Sequence, residues 1–343
     1  YFESVSLVEG VLQRDPAGVY GAMDFLSRDR YRQAVEDLAD GTGEGQVRVA
    51  LRAVESARQA AEGEGGAGGR AVHVGHHLIG RGRAGLEADV AYRPRLRRRI
   101  RRFVFAHAAV AYLGTLGLLT ALLLVLGFLY ARGQGGSPWP LAWVAVLLVL
   151  PASDVAIAVV QSLCVRLVPP RRLPRLDFLD GVPESARTVV VVPTLLTSAG
   201  RVEELVGHLE VLALGNLDPR VHFALLGDFA DAPARKMPGD DAILDAARAG
   251  IEALNARHGE GRADRFFLLH RERRWNPAEG VWMGWERKRG KLEEWNRLLR
   301  GAPDTSFTVE KGDASIFPAV RYCITLDSDT RLPRDAAKKL VGI

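Results

Sequence analysis

The residues best suited to metal chemistry are two aspartates, Asp327 and Asp329, separated by one serine. They follow the apolar run 324–326, which is typical of a buried strand. Spaced i and i+2, both carboxylates point to the same side and can face one cation. Mg²⁺ or Mn²⁺ held by one or two carboxylates, and completed by water and substrate phosphates, is a common arrangement for a diphosphate ligand. The pair alone is weak evidence for a metal site, because Asp-x-Asp occurs often by chance.

Strand-like runs alternate with amphipathic segments from residue 187 onward. Strands are predicted at 188–192, 221–227, 266–269 and 322–326, and helices at 202–214, 243–254, 292–299 and 334–340. Such alternation predicts an α/β fold whose mostly parallel sheet is covered on both faces. Ligands of such sheets bind beyond the carboxyl ends of the strands.

Polar or turn-forming residues stand at all four predicted strand ends. They are Pro193 and Thr194, then Asp228, then His270 and Arg271, and finally Asp327 and Asp329. Any one of them alone is more often a turn residue, because aspartate bonds well to a turn backbone. Together at one sheet edge they predict a binding site.

A basic and aromatic run precedes the third predicted helix. Gly290 and Lys291 open that helix, and its N-terminal amides and nearby cations suit an anion such as a diphosphate. The alternative is a solvated basic loop. Trp275, Trp282 and Trp285 argue against it, because they need burial or a flat ligand such as a sugar or a base.

Two apolar runs predict a membrane hairpin, so a lipid bilayer is an expected partner. The run 103–131 has 29 positions without a charged residue, and roughly 20 residues suffice to cross the hydrocarbon core. A second run extends from Trp139 to about Leu163 and is interrupted by Pro151 and Asp154. Its alternative is a helix whose later half lies along the membrane surface.

The arginines predict the orientation of this hairpin. Seven lie between Arg93 and Arg102, before the first run, and four more follow the second run up to Arg175. Lys and Arg accumulate on the cytoplasmic side, so both flanks should be cytoplasmic. The net charge of +5 is then explained by the arginines that flank the predicted membrane helices. Nucleic acid is not expected as a partner, because no motif for it is present.

The first hundred residues predict short amphipathic helices without a catalytic constellation. One predicted apolar face holds Val5, Val8, Val11 and Leu12, and another holds Tyr31, Ala34, Val35 and Leu38. The Gly-rich stretch 62–69 predicts a flexible loop, and His73, His76 and His77 predict a loop with solvated histidines.

Four regions are therefore expected. They are a helical cytosolic region at 1–100, two transmembrane helices with a short periplasmic loop at 101–168, a linker at 169–186, and the first part of a ligand-binding α/β domain at 187–343. Tyr1 is not an initiator, and no helix stop precedes Ile343, so a fragment of a longer polypeptide is expected.

Three stretches carry a family resemblance: 273–277 (Arg-Arg-Trp-Asn-Pro), 281–294 (Val-Trp-Met-Gly-Trp-Glu-Arg-Lys-Arg-Gly-Lys-Leu-Glu-Glu) and 324–337, which contains Asp-Ser-Asp. The strand ending in Pro-Thr, the Asp after the second strand and the Asp-x-Asp resemble processive, inverting synthases of the cellulose and chitin type. The three stretches more narrowly resemble bacterial cyclic β-1,2-glucan synthases. The segments 14–20 and 28–32 resemble the same family.

The resemblance implies a GT-A-like glucosyltransferase domain, UDP-glucose as donor and a β-1,2-glucan acceptor. Carried onto matching positions, it implies that Thr194 and Asp228 bind the nucleotide sugar, with Asp228 on the uracil or ribose side. Lys291 and Arg289 would serve the diphosphate, while Asp327 and Asp329 would hold ribose and the metal. The implied location is the bacterial inner membrane, multi-pass, with the catalytic side in the cytoplasm.

The resemblance also implies that the catalytic general base lies outside residues 1–343. Forming a β-linkage in one displacement needs a general base near the acceptor hydroxyl, and the resemblance places that base beyond residue 343. We therefore assign no catalytic residue here and expect the fragment alone to be inactive. The alternatives are another processive β-glycan synthase, or a non-catalytic membrane scaffold with a degenerate transferase fold.

Overall fold

The computed structural model describes residues 5–63, 69–135, 138–168, 170 and 172–343. The chain divides into two compact units. The first contains residues 1–21 and 25–173, and the second contains residues 22–24 and 174–343. Each unit is described by itself below.

Short helices make up the beginning of the first unit. They are α1 (Leu7–Leu12), α2 (Phe25–Thr42), α3 (Gln46–Glu62), α4 (Val74–Leu78), α5 (Arg83–Asp89) and α6 (Leu96–Ala106). The predicted apolar faces are buried, with the exception of Val5, which is 59% exposed. Of the Gly-rich stretch predicted to be a flexible loop, positions 64–68 lie outside the described residues.

The prediction of a loop with solvated histidines was wrong for His76 and His77, which lie in α4 and are half-buried. It was also wrong for His73. Its ring is not a solvated loop side chain, because Nδ1 lies 2.7 Å from the buried Asp15 carboxylate and Nε2 lies 3.2 Å from the Tyr31 hydroxyl. The Val74 N–H also donates to Asp15, at 2.9 Å. Sequence spacing did not reveal this cluster, because Asp15 and His73 are 58 positions apart.

Two long apolar helices follow, α7 (Ala108–Gly133) and α8 (Pro138–Leu167). Both contain a window that is long and apolar enough to cross a membrane. None of the window in α7 is buried within the protein, and 17% of the window in α8 is, so neither is the core helix of a soluble domain. The helices approach closely at Gly127, where an added Cβ would lie 2.8 Å from a methyl carbon of Leu148.

The helix boundaries differ from the predicted ones in two places. The first charge-free run starts inside α6 and is broken at His107, whose φ of −118° and ψ of 38° are not helical. The second helix continues through Pro151, because a proline removes only one backbone donor and neighbouring turns keep theirs. Positions 136 and 137, in the predicted loop, lie outside the described residues.

The second unit is an α/β unit built on seven strands. They are β1 (Thr188–Leu196), β2 (Val221–Phe229), β3 (Phe266–Arg271), β4 (Arg274–Asn276), β5 (Val281–Met283), β6 (Phe307–Lys311) and β7 (Tyr322–Thr325). Its helices are α9 (Ala199–Gly215), α10 (Asp240–His258), α11 (Arg287–Leu299) and α12 (Ala336–Val341). All four predicted strands and all four predicted helices are present, with boundaries that differ by a few residues.

The main sheet has the strand order β6-β3-β2-β1-β7. Strands β3, β2, β1 and β7 are parallel, and β6 runs antiparallel to β3. The predicted mostly parallel sheet is therefore confirmed. The antiparallel β6 and the separate hairpin of β4 and β5 were missed, because each is short and has no long apolar run.

Alternate residues of β1 face opposite sides of the sheet, as the strand period of two requires. Val190 and Val192 belong to the core on the side of α9 and α10. Val189 and Val191 belong to the core that contains Trp295 of α11. There the Trp295 indole donates to Cys323 Sγ at 3.2 Å, and burial raises the pKa of that thiol. Both faces of the sheet are thus covered, which leaves its carboxyl edge to bind ligands.

Candidate functional site

The parallel register aligns the ends of β1, β2 and β3. Thr194 lies opposite Gly227, and Asp228 lies opposite Leu195 on one side and Arg271 on the other. Arg271 is the last residue of β3 and not a loop residue, so the predicted end of this strand is corrected by two positions. This register is what brings residues far apart in sequence to one sheet edge.

Asp228 is the centre of a buried ion-pair cluster at this edge. The Arg271 guanidinium donates to it through two nitrogens, Nε to Oδ1 at 2.9 Å and Nη2 to Oδ2 at 2.8 Å. The Lys291 ammonium lies 3.1 Å from the same Oδ2. Two parallel bonds from a planar guanidinium fix the carboxylate in orientation as well as position.

A second carboxylate balances the charge of this cluster. Arg271 Nη1 donates to Glu294 Oε2 at 3.0 Å, and the Ser306 hydroxyl donates to the same oxygen. Two anions thus meet two cations, Arg271 and Lys291, and the four side chains are between 1% and 4% exposed. Buried charges are tolerated when they are paired in this way.

Lys291 reaches the cluster from the first turns of α11. Its ammonium also donates to the Thr194 carbonyl oxygen at 2.5 Å, which ties α11 to the end of β1. Burial lowers the pKa of Lys291, although the Asp228 carboxylate counteracts this effect. Lys291 was predicted to lie in an anion-binding turn, but its ammonium is inside the protein and the side chain is buried.

Two glycines make this approach of chain segments possible. A Cβ on Gly284 would lie 2.5 Å from Asp228 Oδ2, and a Cβ on Gly290 would lie 2.2 Å from the Trp285 carbonyl oxygen. Between them, Glu286 and Arg287 adopt φ angles of 50° and 47°. These left-handed conformations are uncommon for residues with a side chain, and they turn the chain sharply into α11.

The Asp327 and Asp329 carboxylates lie beyond β7 and are exposed. The Lys288 ammonium forms an ion pair with Asp327. A cation therefore already neutralises this carboxylate. Among the described residues, no group of three or more His, Cys, Asp or Glu side chains could hold a metal ion. A metal at the Asp pair would need oxygens from a ligand or water, as Mg²⁺ bound to a diphosphate has.

Some of the predicted site residues are thus in direct contact in the structure, and others are not. Thr194, Asp228 and Lys291 are in direct contact. Arg289 is exposed in the first turn of α11. Within the described part of the chain, no hydrogen bond or ion pair joins Arg289 or Asp329 to the cluster.

Sequence reasoning missed the partners that hold Asp228. Arg271 was noted only as a strand-end residue, although it lies 43 positions from Asp228 and contacts it directly. Glu294 and Lys288 were not singled out. One signal was available, because Arg271 stands two positions after the apolar run 266–269, and a charged residue in a buried strand needs a partner.

The fold and the edge residues define a class of protein: an α/β unit with a polar, charge-lined sheet edge, in a chain that also has two helices of membrane-spanning length. No protein-family model matches the chain. It is 41% identical over 345 residues to the cyclic beta-(1,2)-glucan synthase NdvB of Rhizobium meliloti (strain 1021), a match that covers the whole chain.

This match confirms the resemblance noted in the sequence. The chain spans 12% of the length of that curated relative, so the similarity is to one part of that protein. With the two apolar helices, the match also indicates a membrane protein.

Proposed function

We propose that this chain is the membrane-bound, donor-binding part of a cyclic β-1,2-glucan synthase, which transfers glucose from UDP-glucose to a growing β-1,2-glucan. The observation that supports this most is the 41% identity along the whole chain to a curated synthase of that name. The reaction is an inverting, metal-dependent displacement within a GT-A-like domain. The polar sheet edge is where an α/β fold binds such a ligand.

Asp327 and Asp329 hold Mg²⁺ or Mn²⁺ in this proposal, together with the donor diphosphate. The exposed pair fits such a metal, because two carboxylates leave the remaining positions to phosphate oxygens and water. The Lys288 ammonium now pairs with Asp327, so it has to move away from that carboxylate when the metal binds. The bound metal supplies neutralisation of the diphosphate charge, while the protein orients the donor.

Asp228 and Lys291 form the inner wall of the donor site. The Asp228 oxygens receive three contacts from Arg271 and Lys291, and a carboxylate has about four acceptor positions. In this proposal the remaining position accepts a hydrogen bond from the uracil or ribose, and the chain that covers the carboxylate has to move first, because Asp228 is 1% exposed. Thr194 lies beside them at the end of β1, and the exposed Arg289 offers a cation to the diphosphate.

The test is an Asp329→Asn substitution in the full-length protein. We expect transfer from UDP-glucose to be abolished, because an amide is a much poorer ligand for a divalent cation than a carboxylate. Incorporation of labelled glucose into glucan is the measurement. Asp304→Asn, which removes another exposed carboxylate, should leave incorporation unchanged. Full turnover by the Asp329 variant would refute the proposed metal site.

Two alternatives give different results in the same preparation. A different β-glycan synthase would produce another linkage, which methylation analysis of the product detects. A scaffold with a degenerate transferase fold would give no heat when UDP and Mg²⁺ are titrated into the intact protein. Residues 1–343 alone should bind donor without making glucan, because the proposal places the general base elsewhere.

We further propose that the protein crosses the bacterial inner membrane more than once, with both soluble parts in the cytoplasm. The arginines of α6 and those after α8 support this sidedness. Nucleotide sugars are cytoplasmic, so this orientation gives the sheet edge access to its donor.

A further inference from the structure

A tryptophan-lined cavity lies at the hairpin of β4 and β5, outside the set of residues assigned to the donor. Its volume is about 390 Å³, and its lining includes Trp275, Asn276, Glu279, Trp285 and Arg287. That volume is in the range of small-molecule sites, which is roughly 300 to 1,000 Å³. Trp275 is 51% exposed and Trp285 is 40% exposed, so about half of each residue's surface is left open to solvent at the cavity.

The hairpin holds Trp275 in a fixed place. Trp275 is paired directly with Trp282 across the two strands, and their ring centroids are 5.9 Å apart. Trp282 in turn exchanges two backbone hydrogen bonds with Ala232, both at 2.9 Å. The turn is closed by Asn276, whose side chain accepts from the Ala278 N–H at 3.0 Å. A rigid aromatic surface loses little conformational entropy when it binds a ligand.

The charges of the cavity favour a neutral ligand over an anion. Its lining contains two arginines and two glutamates, so the formal charges cancel: Arg274, Glu279, Glu286 and Arg287. Arg287 is already engaged, because its Nη2 lies 2.6 Å from Glu279 and 2.9 Å from Asp231. A phosphate would have to compete with two carboxylates for this guanidinium. A polyhydroxylated neutral molecule can instead bond to the outer oxygens and nitrogens of the existing pairs.

The cavity adjoins the Asp228 cluster. Arg287 lines the cavity, and its backbone carbonyl accepts from Arg271 Nη2 at 3.1 Å. Met283, another lining residue, precedes Gly284, which packs against Asp228. A ligand in the cavity would therefore lie next to the proposed donor site without occupying it.

We propose that this cavity binds a glucosyl unit of the β-linked glucan, with Trp275 and Trp285 contacting the apolar C–H faces of the sugar rings. The proposal deepens the proposed function and rests on it, because the glucan is the polymer expected beside this donor site. Aromatic faces, neutral balance and fixed hydrogen-bonding groups together match the chemistry of a pyranose ring. The site would hold the glucan while the donor is exchanged.

The test uses the purified full-length protein and a linear β-1,2-linked gluco-oligosaccharide, titrated calorimetrically in the absence of donor. We expect Trp275→Ala and Trp285→Ala each to weaken binding by about tenfold or more, which corresponds to about 1.4 kcal/mol. Trp275→Phe should retain most of the affinity, because a flat ring remains. Val211→Ala, which shortens an exposed apolar side chain on α9, should change nothing.

A parallel titration with UDP and Mg²⁺ separates the possible occupants. Unchanged UDP affinity in all variants is expected, and it also shows that the variants are folded. Weaker UDP binding by the alanine variants would assign the tryptophans to the nucleotide base and overturn the proposal. Unchanged oligosaccharide affinity would overturn it as well. Failure of the proposed function is distinct, because it would appear as absent UDP-glucose turnover by the unsubstituted protein.

Discussion

The guanidinium of Arg271 links two buried carboxylates, Asp228 and Glu294, and so determines how the end of β2 meets α11. Neither carboxylate has water as an alternative partner, because both are almost completely buried. A residue in this position affects stability and site geometry together. If Asp228 binds the donor, Arg271 is a positioning residue that acts through it.

We predict that Arg271→Ala destabilises the protein by about 3 to 5 kcal/mol, because it leaves two buried carboxylates with only Lys291 as a cation. Thermal unfolding followed by tryptophan fluorescence measures the loss. Arg271→Lys should recover part of the stability, since an ammonium keeps the charge but cannot form the two parallel bonds.

Arg201→Ala is the matched control for this substitution. It breaks the exposed pair with Glu204 on α9, and exposed pairs contribute at most about 1 kcal/mol. Equal losses in the Arg201 and Arg271 variants would contradict the importance assigned to the buried cluster.

Helices and strands were predicted well where a long apolar pattern marks them. The runs at 188–192 and 221–227 became β1 and β2, since β-branched and aromatic residues pack on both sides of a covered sheet. The three-residue strands β4 and β5 could not be predicted, because Trp275 and Trp282 form their pair only after the turn has folded. The contact between Asp228 and Arg271 could not be predicted either, because it depends on the register of β2 and β3 and not on sequence spacing.

The short helices of the first unit depend on Asp15 in a pH-dependent way. Burial alone would raise the pKa of Asp15, but hydrogen bonds from His73 and the Val74 N–H outweigh it, so the pKa is lowered. A carboxylate with a lowered pKa in the folded state stabilises the fold at pH values above its unfolded pKa of about 3.9. This stabilisation is lost as pH falls through the folded value.

We predict that the first unit loses stability as pH falls below the unfolded pKa of about 4, and that Asp15→Asn is less stable at pH 7 but shows a smaller loss on acidification. Helical circular dichroism during urea unfolding at several pH values is the measurement. Asp29→Asn, which removes a carboxylate of which more than a third is exposed, serves as the control. A steeper acid loss in the Asp15 variant would contradict the assignment.

The whole molecule combines soluble and apolar parts, and its proposed sidedness can be tested by labelling. We start from a background in which Cys164 and Cys323 are replaced by serine. We predict that Glu62→Cys and Glu293→Cys resist a membrane-impermeant maleimide in intact cells and react after permeabilisation, because the proposal places both soluble parts in the cytoplasm.

Gln134→Cys provides the opposite control, because Gln134 is exposed immediately after α7. It should react in intact cells if α7 crosses the bilayer completely. Labelling of Glu62→Cys or Glu293→Cys in intact cells would reverse the proposed orientation. Protection of all three would favour helices that lie along the membrane surface.

The contact between Trp295 and Cys323 allows local opening of the sheet to be measured through the reactivity of the Cys323 thiol. The thiol is half-buried between α11 and β7, and its pKa is raised by burial, so it reacts slowly with alkylating reagents while the sheet is closed. Its alkylation rate therefore measures how often β7 and α11 separate. β7 leads directly to Asp327 and Asp329. A lower alkylation rate in the presence of nucleotide and metal would therefore show that these ligands reduce the opening of the sheet at β7.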